Sequence, residues 1–280
     1  GDKIFEREDI DVVDICLPTY LHHEYVLKAA NAKKHVLCEM PMALTLEQAK
    51  EMIEATEQAK VKFMVGHTLR FSPKYLSTRA AIEEGSIGTP RAIRAYRGGA
   101  HPGRNISWYG ELEKSGGAIQ DMAIHDIDFL RWCFGPVKEV YAKGNVYEEI
   151  ENLEYDMITL EFEAGLIAHV AADWSKPEGT PFSESLDIAG DVGVIIFESD
   201  QENSLDATYE GSEGGYMDPE SPLDPFSDPT TRMIMSFIDA IQKDIDVPVD
   251  PVESLESLKI ALGAMESIRN NKPISIKEAF

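Results

Sequence analysis

Short apolar runs alternate with helical stripes through the first 66 residues. Asp11 to Leu17 (DVVDICL) is an apolar run closed by Pro18, the pattern of a buried parallel strand. Leu21 to Lys33 predicts a helix, and His35-Val36-Leu37-Cys38 a second strand. Thr45 with Gln48 three residues on forms a capping box, behind which Leu46, Ala49, Met52 and Ile53 make a buried stripe. Lys62 to Gly66 (KFMVG) predicts a third strand. Strand–helix–strand–helix–strand is the order that builds a parallel, doubly wound sheet with right-handed crossovers.

Beyond Gly66 the period changes. Ser72-Pro73 can start a helix that Gly85 ends. Arg91 to Arg97 alternates, and a helix carrying Asp121 and His125 runs to about Phe134. Strand-like runs follow at Val137 to Tyr147, Tyr155 to Glu163, Leu166 to Trp174, Phe182 to Ile188 and Val192 to Phe197, with Ala164-Gly165 and Gly190-Asp191 as tight links. Successive hairpins predict an antiparallel sheet. The fold class is therefore α/β plus α+β, divided into residues 1–69 and 70–280. Glu198 to Asp228 holds ten acidic residues and no basic one, interrupted by Gly214, Gly215, Pro219, Pro222 and Pro225, and reads as a long surface loop. Two helices close the chain, Thr231 to Lys243 and Glu253 to Asn270.

Charge narrows the function. A net charge of -24 over 280 residues argues against nucleic-acid binding and docking on anionic membranes, which need Lys and Arg. Cys16, Cys38 and Cys133 have no metal spacing and sit in apolar runs, so they are expected as buried free thiols in a reducing compartment. No apolar stretch reaches ~18 residues, and Gly1-Asp2-Lys3 begins no targeting signal. A soluble, cytoplasmic protein is expected.

Three segments carry candidate chemistry. In Gly116 to Asp128 (GGAIQDMAIHDID), Asp121 and His125 share a helix face at i,i+4. A neutral imidazole can accept the proton released when an alcohol is oxidised, while the carboxylate orients it or binds a second hydroxyl. Equally, an acid in a first helical turn and a satisfied histidine need no function. An Asp/His metal pair would lack a third ligand, so no metal is expected. Pro18-Thr19-Tyr20-Leu21-His22 and Cys38-Glu39-Met40-Pro41 each follow a strand at its C-terminal end, where doubly wound sheets bind ligands; either is also an ordinary strand-to-helix turn. His101, Arg104, Asn105, Trp108, His169 and Trp174 are further candidates for a pocket, or for core and surface roles.

Taken together, DVVDICLPTYLHHEYVLKA, KHVLCEMPMALTLEQA, VGHTLRFSPKY followed by EEGSIGTPRAIR, SGGAIQDMAIHDIDFLRW and PVESLESLKIALGAMESIRNNKPISI resemble the glucose-fructose oxidoreductase / inositol dehydrogenase (Gfo/Idh/MocA) family, from Asp11 almost to the C-terminus. The resemblance implies a Rossmann domain followed by an open-faced antiparallel sheet domain, like the C-terminal domain of glyceraldehyde-3-phosphate dehydrogenase. It implies hydride transfer between NAD or NADP and a sugar or polyol carbon. By the same resemblance Pro18, Thr19, Leu21 and His22 line the cofactor, Glu39, Met40 and Pro41 sit by its nicotinamide end, and Arg70 lies near the domain junction. His125 would be the acid/base, with Asp121 positioning the substrate hydroxyl. A homo-dimer or homo-tetramer through the C-terminal sheet is implied as well.

The chain departs from that family in two places. Met40 stands where the family has lysine, a thioether in place of a charged donor. The family's first strand, its G-x-G-x-x-G turn and its ribose-reading acid would precede this sequence, so a truncated Rossmann-like sheet is expected. These departures argue against turnover by residues 1–280. They also motivate the competing expectation of a non-catalytic member, binding a sugar-like ligand or serving as a structural subunit.

Overall fold

The computed structural model describes residues 2–104, 106–147, 153–199, 205–209, 215–216 and 228–280. Its first sheet joins β1 (Val12–Ile15), β2 (His35–Cys38) and β3 (Phe63–Val65) in that order, all parallel, with Val13 beside Val36 and Leu37 beside Met64. The crossovers are α1 (Thr19–Asn31) and α2 (Leu46–Ala59), which pack on each other. Thr45 caps α2 as the sequence predicts, its Oγ1 accepting from Gln48 N–H at 3.3 Å.

Strand β2 is apolar on both faces because both are covered. Val36 and Cys38 enter the main core, while Leu37 joins Met64, Phe71, Met233 and Phe237 on the opposite side. Met233 and Phe237 belong to α6 (Pro229–Lys243), so a helix from late in the chain covers the second face of the first sheet. A division at residue 69 thus separates the sheets but not the layers that bury them.

Among the described residues nine strands form the second sheet: β4 (Pro90–Ala100), β5 (Val137–Tyr147), β6 (Leu153–Phe162), β7 (Ile167–Lys176), β8 (Ser183–Gly190), β9 (Gly193–Glu198), β10 (Leu205–Tyr209), β11 (Gly215–Tyr216) and β12 (Ile274–Ser275). Their order is β11-β10-β9-β8-β4-β7-β6-β5-β12. The sheet is mixed, not antiparallel as expected. β4 lies between β7 and β8 and runs parallel to β7, with Ile93 beside Ala168. Hairpin spacing reveals only consecutive strands, and β4 is separated from its partners by the helices that follow it. Gly165, at φ +82°, makes the predicted turn between β6 and β7. Within the acidic segment read as a loop, β10 and β11 are strands; most of its other residues lie outside those described.

One face of this sheet packs on α5 (Ile124–Phe134) and α7 (Pro251–Asn270), burying Val140, Ile158, Leu160, Ala168 and Val170. The other face is open, with Met157, Ile167 and Ile196 exposed. Both late helices begin as proline-first helices, with Asp228 and Asp250 as N-caps bonded to Thr231 and Val252 amides.

Ahead of α5 the helix does not start as an α-helix. Ile119–Ala123 forms a π-helical turn, entered through α4 (Leu112–Ser115) and two glycines of positive φ, Gly116 at +78° and Gly117 at +71°. Asp121 therefore stands in the π-helical turn and His125 in the first turn of α5. Cys38 is buried and Cys133 half-buried; Cys16, expected buried, is exposed, because it lies one residue past β1 on the solvent side. No described helix is long and apolar enough to cross a membrane.

Candidate active site

The C-terminal ends of the three parallel strands lead into the segments singled out above, namely Pro18, Glu39-Met40-Pro41 and Gly66-His67. His22 ties two of them together. Its Nε2 lies 2.7 Å from the Leu17 carbonyl and its Nδ1 2.9 Å from the Pro41 carbonyl, and the ring is buried. Both nitrogens are occupied by backbone, so His22 braces the loops rather than offering a polar atom to a ligand. Burial holds its pKa below the usual histidine value. Glu39 folds against Gly66, where a side chain would stand 3.2 Å from Glu39 Oε2. Burial and then the charge of Asp14 raise the Glu39 carboxyl.

Arg70 also departs from expectation. Its Nε and Nη2 each donate to Asp128 at 2.8 Å, both side chains are buried, and its guanidinium lies over the Trp132 ring at 5.4 Å. Arg70 stands in the turn that follows β3, and its charge is spent on Asp128. Ser257 Oγ donates to the same carboxylate at 2.9 Å, linking α5 to α7.

Asp121 and His125 meet on one wall of a cavity of about 260 Å³, shared with Arg97, Tyr109, Trp174 and Phe182. Each is half-buried. Burial is the first cause of both pKa shifts and acts in opposite senses, because it penalises whichever form is charged. The Asp121 carboxyl is raised from 3.8 to about 7; the adjacent Tyr109 hydroxyl lowers it and Glu154 raises it. The His125 imidazole is lowered from 6.5 to about 3, by burial and then by the nearby positive Arg97. Its Nδ1 has no hydrogen-bond partner.

Arg97 is held behind His125 by a buried network. Its Nε and Nη2 donate to Asp126 at 3.2 and 3.1 Å, Nη2 to the Tyr75 hydroxyl at 3.0 Å, and Nη1 to Glu184 at 2.5 Å. Lys74 completes the ion cluster on Glu184. With these partners Arg97 is a fixed cation of the wall rather than a free anion receptor.

The aromatic rim comes from residues 101–110 and from β7. Trp108 stacks on Tyr109 with centroids 3.9 Å apart, and His101 stands edge-on to Trp174 at 4.8 Å. Of the further pocket candidates, His101, Trp108 and Trp174 gather here. His169 does not: it is exposed on the open sheet face, 3.1 Å from Thr159 Oγ1. The side chains of Arg104 and Asn105 lie outside the described residues. Tyr109, Arg97 and Glu154 were missed in the sequence. Tyr109 stands in an aromatic cluster (SWYGE), which was a usable signal; Arg97 sits in an ordinary alternating strand, which was not. A larger cavity of about 660 Å³, lined by Leu44, Gln120 and Arg269 among others, contains none of the predicted site residues.

The strand-end edge suits a nicotinamide dinucleotide. At the start of α1, Leu21 N–H donates to the Pro18 carbonyl at 2.8 Å, Pro18 provides no side-chain cap, and no acid lies in the first turn; strand ends of this kind are where doubly wound sheets bind ligands. Met40 and Pro41 add apolar surface beside Glu39. Among the described residues no group of three or more His, Cys, Asp or Glu could hold a metal ion.

Residues 2–67 match a family model described as an oxidoreductase family with NAD-binding Rossmann fold, and residues 75–196 match the GFO/IDH/MocA C-terminal domain. The chain is 31% identical over 279 residues to the uncharacterized oxidoreductase YrbE of Bacillus subtilis (strain 168), covering 96% of this chain and 79% of that one. It is 27% identical to myo-inositol 2-dehydrogenase of Thermotoga maritima, covering 99% and 83%. A solved structure of levoglucosan dehydrogenase, in complex with NADH and levoglucosan, superposes with a TM-score of 0.87 at 25% identity, over 98% of this chain and 82% of that one.

Proposed function

The chain belongs to the GFO/IDH/MocA family of oxidoreductases, and from that premise we propose that it moves a hydride between NAD or NADP and a hydroxyl-bearing carbon of a sugar or polyol. The observation that carries this reading is the convergence of Asp121, His125 and an aromatic rim on one cavity, where Tyr109 also feels the charge of Glu39 at the end of β2. The inositol and levoglucosan dehydrogenases among its relatives support the substrate class.

When bound, the cofactor supplies the hydride acceptor or donor. The protein supplies the proton chemistry. Oxidising an alcohol releases a proton, and the group best matched to neutral pH takes it. That group is Asp121, at about 7. His125, at about 3, is four units from neutrality and stays uncharged, so it serves as a hydrogen-bond partner that holds the hydroxyl. This reading exchanges the two roles that the family resemblance implies. Tyr109, Trp174 and Phe182 offer apolar faces to a sugar ring and exclude water. Residues 1–69 hold the cofactor with Pro18, Thr19, Leu21, Glu39, Met40 and Pro41. The remainder binds substrate and assembles copies through the open sheet face, where Met157, Ile167 and Ile196 are exposed. The protein works in the cytoplasm. Met40 favours a second reading, a member that binds a sugar-like ligand without turning it over.

Fluorescence titration with NADH and NADPH, followed by polyol-dependent NAD+ reduction, separates the two. The dehydrogenase reading expects saturable cofactor binding with turnover. Absence of binding below millimolar concentrations removes the dehydrogenase reading, and binding of sugar alone establishes the second.

A further inference from the structure

Strand β6 carries acids where its neighbours carry hydrocarbon. Its even-numbered residues turn toward the helical layer, where Ile158, Leu160 and Phe162 are buried, and the two-residue period of a strand puts Glu154 and Asp156 on the same face. Asp156 is 2% exposed, and its Oδ2 has no hydrogen-bond partner among the described residues. Burying an unpaired carboxylate is costly, so packing alone does not account for this pair.

Two glycines on different elements make room for it. β5 sets Gly144 directly opposite Asp156, where a Cβ would overlap Asp156 Oδ1. At Gly117 a Cβ would stand 2.7 and 2.8 Å from Glu154 Oε1 and Oε2. Next to that glycine, Ala118 N–H donates to Glu154 Oε2 at 2.7 Å. Ala118 immediately precedes the π-helical turn that carries Asp121. The strand therefore grips the turn at the residue that caps it.

We propose that Glu154 and Asp156 form a positioning pair for Asp121, retaining one proton between them, fixing the Ala118 amide and presenting a single negative charge to the Asp121 carboxyl. This rests on the reading that Asp121 exchanges the substrate proton. Burial and then the Glu154 charge push Asp156 up to about 9, so it is the member that keeps the proton. Burial also raises Glu154, opposed by the Ala118 amide and by Asp156. The strands flanking Asp156 offer Gly144 and Ala172, neither charged. Asp121 faces the Tyr109 hydroxyl, which lowers it, and Glu154, which raises it; Glu39 acts on Tyr109 in turn.

Carbon-13 NMR titration of the full chain with labelled aspartate tests the pair directly and needs no cofactor. Glu154→Gln keeps the size and removes the charge; the Asp121 midpoint is expected to fall by about one pH unit, the effect of losing a like-charged neighbour. Asp156→Asn leaves Glu154 charged and is expected to leave that midpoint in place. An unmoved midpoint in Glu154→Gln, or an equal displacement in Asp156→Asn, overturns the proposal. Should Glu154→Gln fail to fold, the unsubstituted protein decides: the Ala118 amide is expected to be protected from hydrogen exchange, and an unprotected amide overturns the grip. Retained turnover in Asp121→Asn would instead remove the catalytic role of Asp121 and leave the NMR result standing.

Discussion

Asp121 and His125, four residues apart on one cavity wall, respond to the same burial in opposite directions, the carboxyl up to about 7 and the imidazole down to about 3. A rate limited by a carboxylate base rises with pH as that base ionises. The kcat profile for polyol oxidation is therefore expected to show an acid limb near 7, with no second limb between that value and the bound of His125. Asp121→Asn is expected to lower kcat by about 10²–10⁴-fold. His125→Asn, keeping a hydrogen-bonding group, is expected to raise KM more than it lowers kcat. A larger kcat loss in His125→Asn than in Asp121→Asn would return the proton to the imidazole.

Met40 is the second point of control. It is half-buried against the core, in the loop that His22 ties down. A lysine there would bring an ammonium group to an edge already holding Glu39. Met40→Lys is expected to raise kcat by about 10²-fold, the low end of what a positioned proton-transfer group contributes. It is also expected to move the acid limb downward, since a cation favours the ionised carboxyl. Steady-state assays of both proteins over a pH series measure the two effects together.

The parallel sheet was legible because buried strands and a capping box are local signals, and Thr45 with Gln48 behaves as its spacing requires. The parallel pairing of β4 with β7 was not, since it joins segments some seventy residues apart through side chains no different from those of a hairpin. Asp121 and His125 drew notice by spacing and share one cavity, while their charge states depend on burial, which sequence does not state. The ion pair of Arg70 was not legible, because its partner Asp128 is 58 positions away. Glu154 and Asp156 did leave a trace: acids at alternate positions, followed on the same strand face by Ile158, Leu160 and Phe162.

The Arg70–Asp128 pair is expected to govern stability. Burial pushes the Asp128 carboxyl up, but His67, Arg70 and Ser257 outweigh it and hold it below its ordinary value. Removing one partner leaves the other charge buried and unpaired, typically a loss of about 3–5 kcal/mol. Arg70→Ala is expected to lower stability by that amount in urea unfolding. If the folded fraction still binds NADH with unchanged affinity, Arg70 has no direct part in holding the cofactor; a selective loss of affinity without destabilisation would restore that role.

Acid should separate the two members of the site by sign. His125 titrates near 6.5 when unfolded and near 3 when folded, so the unfolded chain binds the extra proton between those values. The stability it contributes is complete above about 6.5 and is lost as pH falls toward the folded value. Asp121 does the reverse: its folded value of about 7 exceeds the unfolded 3.8, so the folded chain binds the extra proton and gains stability as pH falls through that window. Between pH values of about 6.5 and 4, His125→Asn is expected to make stability less sensitive to acid, and Asp121→Asn more sensitive, each by about one proton in the slope. Urea midpoints across that range measure both slopes. Equal slopes in the two variants would mean that neither side chain is buried in the charge state described.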